Sequence, residues 1–82
     1  MFAFELFHQI SDPESARLRR YISEHDLLEH VRFRNVVYPE VQRDFAAHGG
    51  QALPALWDGE LLFQGAEAAI ARLEAFMDVG RS

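Results

Sequence analysis

At 82 residues, with 49% hydrophobic and 26% charged side chains, the chain has the composition of one small globular domain, far from the apolar-poor balance of disordered chains. Its formal charge of −5, eight arginines scattered among thirteen acids, excludes the clustered cations that nucleic-acid binding needs to displace counterions from phosphates. No cysteine is present, which removes disulfides, thiolate metal sites and thiol nucleophiles together, so stability has to come from packing in a chain that buries only roughly 60–65% of its unfolded surface.

The N-terminal stretch Met1 to Phe7 has no basic region and carries Glu5 inside its short apolar run. It reads neither as a signal peptide nor as a membrane span, and the expected location is the cytoplasm. Phe2 to Phe7 are apolar almost throughout, as in a strand buried on both faces. The polar break Ser11-Asp12-Pro13-Glu14 then starts a helix in one of two registers. Ser11 with Glu14 fits a capping box, while Asp12 with Pro13 fits an N-cap followed by proline at the first helical position. Leu18, Tyr21, Ile22 and His25 recur at helical spacing, and the helix is expected to fade near Asp26.

Val31 to Val36 begins with an apolar/arginine alternation that predicts a strand, with Val31 and Phe33 on one face and Arg32 and Arg34 on a solvated face. After Pro39, Val41 and Phe45 mark a short helix that Gly49-Gly50 can end. Ala55-Leu56-Trp57 and Leu61-Leu62-Phe63 flank Asp58-Gly59, which predicts a tight hairpin, or a looser one if Glu60 belongs to the turn. Ala66, Ala69, Ile70, Leu73, Phe76 and Met77 mark one face of a closing helix, with Gly80 beyond its end. The order implies one domain over residues 1–82, a parallel strand pair followed by antiparallel strands, and helices packed on a mixed sheet. Trp57 and the seven phenylalanines are expected in the core.

That element order, with Leu53-Pro54 ahead of an apolar strand, Asp58-Gly59 in a hairpin and Gln64-Gly65 before the last helix, resembles glutaredoxins and the N-terminal domains of glutathione transferases. The resemblance spans essentially the whole chain. It implies a thioredoxin-like α/β fold of three layers, βαβαββα, with a four-stranded mixed sheet and helices on both faces. It also implies a cis Leu53-Pro54 bond and a Leu53 backbone that faces a ligand. Where redox-active relatives carry two cysteines separated by two residues, this sequence reads Asp12-Pro13-Glu14-Ser15, and the nucleophile's position falls on Asp12. A helix N-terminus favours an anion. Here Asp12 and Glu14 already supply it, and cysteine-based oxidoreductase chemistry is excluded outright.

Ser11 and Ser15 are weak candidates for a hydroxyl of the kind that activates glutathione in many transferases, and they equally suit structural roles, Ser11 or Asp12 as the helix cap and Ser15 in its first turn. Gln64, Gly65 and Glu67 stand where the resembled families hold the γ-glutamyl end of glutathione, but transferases typically place Glu-Ser there and glutaredoxins a pair of glycines. Ligand-contacting positions are therefore Asp12, Leu53, Pro54, Gln64, Gly65 and Glu67. A transferase would also need a helical second domain, for which the chain ends too early. The four histidines lack metal-ligand spacing, and only His8 has acids nearby in sequence, so no metal is expected. A non-catalytic binding module results, with glutathione or an extended peptide as ligand and no resident cofactor. The alternatives are a serine-assisted glutathione-dependent enzyme or subunit, and a scaffold protein or homodimer.

Overall fold

The computed structural model describes residues 2–81. Strand β1 (Phe4–His8) leads to helix α1 (Pro13–Glu24), and a single 3₁₀ turn (Leu28–His30) delivers the chain to β2 (Val31–Asn35). Helix α2 (Pro39–Ala47), strands β3 (Ala55–Trp57) and β4 (Leu62–Gln64), and helix α3 (Ala66–Arg81) complete the order. The four strands form one mixed sheet in the order β2-β1-β3-β4. β1 pairs parallel with β2 and antiparallel with β3, and β3 pairs antiparallel with β4. No described helix is long and apolar enough to cross a membrane.

Side-chain alternation along β1 divides the core in two. Phe4 and Leu6 join Leu18 and Ile22 of α1, Leu56 of β3, and Ala69 and Leu73 of α3 on one face. Phe7 joins Val41 of α2 and Ala55 on the other, where Phe45, Leu53 and Trp57 pack against them. Helices therefore cover both faces of the sheet, two on one side and the short α2 on the other.

Helix ends are set by local chemistry. Asp12 is the N-cap of α1 and Pro13 its first residue, which decides between the two registers in favour of Asp12. At the other end, Leu27 N–H bonds the Ile22 carbonyl at 2.9 Å and Asp26 N–H bonds that of Ser23 at 3.2 Å. This is the Schellman pattern, with Asp26 in the left-handed position at φ 56° and Leu27 buried against the core. α2 ends the same way, Gly50 N–H to Phe45 and Gly49 N–H to Ala46, with Gly49 at φ 85°. Gly50 is needed for a different reason: a Cβ there would run into the Phe45 ring.

The structure departs from the sequence-based expectations at four points. β1 starts at Phe4, and Phe2 is half exposed, as is Phe33 at 38%, so two phenylalanines lie outside the core. The arginine face of β2 is not simply solvated. Arg34 is held by Glu5 and by Asp44 of α2 (2.7 Å), keeps only 13% of its side chain exposed, and lies over the Phe7 ring. The hairpin loop runs from Asp58 to Leu61, because Asp58 Oδ1 accepts from the N–H groups of both Glu60 and Leu61 and draws Leu61 out of the strand. Finally, α3 continues through Gly80 to Arg81.

Candidate functional site

Strand order brings three segments to one end of the sheet. Phe7 of β1 lies opposite Ala55 of β3, and Ala55 lies opposite Gln64 of β4. The loop after β1, Leu53-Pro54 before β3, and Gln64-Gly65 after β4 therefore share that end, and α1 and α3 both begin there. Asp12, Leu53, Pro54, Gln64 and Gly65 are gathered as the sequence suggested. Glu67 sits exposed in the first turn of α3, and Ser11 is exposed beside α1.

The Leu53-Pro54 bond is cis. Pro54 is buried, and its carbonyl accepts from Gly65 N–H at 2.8 Å, which ties the segment to the start of α3. The Leu53 side chain packs against the α2-side core. Its N–H and C=O make no hydrogen bond with any described residue, so two backbone groups of one residue are unpaired just ahead of β3.

Several of the nominated polar groups are occupied by the fold. Ser15 is fully buried; its hydroxyl donates to Asp12 Oδ2 at 2.7 Å and accepts from Gln9 N–H at 3.2 Å. Asp12 Oδ2 also accepts from Ser15 N–H at 2.9 Å. The Ser15 hydroxyl and then its backbone N–H hold the Asp12 carboxyl below the ordinary aspartate range, with burial opposing. Gln64 turns its amide inward as well: Oε1 accepts from the N–H groups of Gln51 (2.7 Å) and Ala52 (2.9 Å), and Nε2 donates to the Gly49 carbonyl at 3.4 Å. Its work is to hold the loop ahead of Leu53.

A cavity of about 260 Å³ opens at the carboxyl ends of β1 and β2, lined by Gln9, Ile10, Ser11, Asn35 and Val37. Outside the carboxyl ends of parallel strands is where open α/β sheets commonly receive ligands. Of these residues only Ser11 was singled out from the sequence. Ile10 and Val37 stand just past their strands and belong to no apolar period, so nothing local marked them.

Beneath the cavity, Arg19 of α1 anchors the β1–α1 loop. Its guanidinium donates to the carbonyls of Gln9 (3.3 Å) and Ile10 (3.4 Å) and to His8 Nδ1 (3.1 Å). The partner of His8 is thus a cation rather than the acids near it in sequence. Burial, and then the charge of Arg19, hold the His8 pKa below the ordinary histidine value. Among the described residues no group of three or more His, Asp or Glu side chains is placed to hold a metal ion. Asp12 and Glu14 at the start of α1 and Glu67 in the first turn of α3 lie at the same end of the sheet as Leu53, and Ile10 and Val37 line the cavity. No family model matches the chain, and no curated protein matches it significantly.

Proposed function

We propose that this chain is a non-catalytic binding module of the thioredoxin type, similar in layout to glutaredoxins and glutathione transferase N-terminal domains, and that it takes an extended peptide along Leu53. The open N–H and C=O of Leu53, at the end of the sheet where α1 and α3 begin, carry this reading. An extended chain laid there pairs its backbone with Leu53, as in strand addition. The acids at the rim and the apolar cavity beside it favour a peptide with alternating basic and aliphatic side chains.

Glutathione fits the arrangement less well. The Gln64 amide, which would meet its γ-glutamyl end, is spent on the 49–52 loop, and Asp12 fills the α1 N-terminus with a carboxylate. Of the two candidate serines, Ser15 is disfavoured, because its hydroxyl is buried and already bonded, while Ser11 stays exposed at the cavity.

An amide-resolved NMR titration tests the reading, with a capped hexapeptide alternating valine and arginine as one probe and reduced glutathione as the other. Saturable shifts at residues 9–12, 52–54 and 64–66 with the peptide are expected. They should persist in Leu53→Ala, since the pairing uses backbone. No shifts at millimolar peptide, or shifts confined to another surface, would overturn the assignment.

A further inference from the structure

Among the described residues, four of the eight exposed large apolar side chains, Leu28, Phe33, Val37 and Tyr38, lie on β2 or within three residues of its ends. β2 is an outer strand of the sheet. Val36 N–H donates inward to the His8 carbonyl at 3.0 Å, so backbone alternation turns Arg32 and Arg34 toward β1 and leaves the N–H and C=O of Phe33 directed at the open edge. Proteins usually guard such an edge with charge. Here the guard is weakened, because Arg34 is drawn back onto Glu5 and Asp44.

We propose that this edge pairs with the same edge of a second copy of the chain, antiparallel, about a two-fold axis through Phe33. The patch is complementary to itself in that register, as a two-fold interface requires. Phe33 exchanges both backbone hydrogen bonds with the second copy's Phe33 and stacks beside its ring. Val31 comes opposite the second copy's Asn35, and the 3₁₀ turn that carries Leu28 points toward the second copy's 36–38 turn with Val37 and Tyr38, so apolar groups gather at the two ends of the paired strands. A register shift of two residues loses the Phe33 pair.

Charge favours the same occupant. Arg32 makes no ion pair among the described residues. In this register it faces the second copy's Arg34, whose single guanidinium sits between two carboxylates, Glu5 and Asp44, so the cluster it meets is net negative. The pairing also brings the second copy's Leu28 turn toward Val37, on the rim of the cavity at the carboxyl ends of β1 and β2. It does not use Leu53, but it shares the Val37 side of the cavity with the peptide-binding proposal, so sedimentation without peptide tests it separately.

Sedimentation equilibrium from low micromolar to millimolar protein tests it, on the wild type, Phe33→Glu, Phe33→Pro and Leu61→Glu, an exposed control at the opposite edge of the sheet. Proline at this position removes the outward N–H without breaking a bond to β1, together with the Phe33 ring, and far-UV circular dichroism checks that each variant folds. The wild type and the Leu61→Glu control are expected to show a concentration-dependent monomer–dimer equilibrium, with both Phe33 variants weakened about tenfold or more. A wild type that stays monomeric at the highest concentration, or Phe33 variants that dimerise as the wild type does, would overturn the proposal. If the Phe33 variants do not fold, wild-type amide exchange decides: protection at Phe33 and Asn35 that rises with protein concentration supports the pairing, and concentration-independent exchange refutes it.

Discussion

Ser15 is the sharpest place to separate a structural hydroxyl from a functional one, because its bonding to Asp12 makes a definite energetic pattern. Asp12→Ala removes the N-cap of α1, worth about 1 kcal/mol. It also strips the acceptor from a hydroxyl with no exposure to water, which adds about 1–2 kcal/mol. The sum, about 2–3 kcal/mol, is large for a domain whose whole stability is of order 5–10 kcal/mol. Ser15→Ala alone should cost only about 1 kcal/mol, because the Asp12 carboxylate keeps the Ser15 N–H and the Gln9 N–H turns to water. In the double variant no buried hydroxyl is orphaned, so the two losses should fall short of additivity by about 1 kcal/mol or more. Urea unfolding of the four proteins measures this directly, through midpoints compared at a common slope. Additive losses, or a Ser15→Ala protein as stable as the parent, would refute a capping role for the hydroxyl.

Arg34→Met should destabilise by about 1–3 kcal/mol, because it leaves the half-buried Glu5 carboxylate without its partner, and adding Glu5→Gln should recover part of the loss; urea midpoints read both. Stability should fall as the pH drops below about 6.5, since the unfolded chain gains a proton that folded His8, held neutral by burial and then by Arg19, refuses until its depressed pKa is reached. Asp12, Asp44 and Asp58, each held below the ordinary value, add a second loss below about pH 4. Unfolding free energies across the range should show both phases, and His8→Gln should flatten the upper one. Asp26→Gly should stabilise by about 0.5–1 kcal/mol by relieving a left-handed aspartate, whereas Gly50→Ala should destabilise by pressing on Phe45; paired thermal melts test the contrast.

The parts of the fold that were legible in the sequence are those governed by near neighbours. Asp12-Pro13 announced α1, Gly49 its counterpart at the end of α2, and the strand–helix–strand opening implied the parallel pair. The choice between Ser11 and Asp12 was not legible, because both side chains cap; the N–H and hydroxyl of Ser15 at the third helical position settled it. Asp58-Gly59 suggested a tight turn, and only the capture of two N–H groups by Asp58 lengthened it. Arg34 read as a solvated charge because its cover, Asp44 on α2, lies ten residues away. Gln64 is the most instructive site residue. An amide suits a ligand and a loop equally well, and the difference lies in a tertiary contact with residues 49–52 that no local pattern encodes.

Hydrogen exchange at the Leu53 amide, with and without saturating valine–arginine hexapeptide, tests the binding proposal most directly. The N–H has no acceptor among the described residues, so rapid exchange is expected in the free protein and a marked slowing at Leu53 in the complex. An amide already protected in the free protein, or one that exchanges equally fast at saturation, would contradict the assignment of Leu53 as the pairing edge.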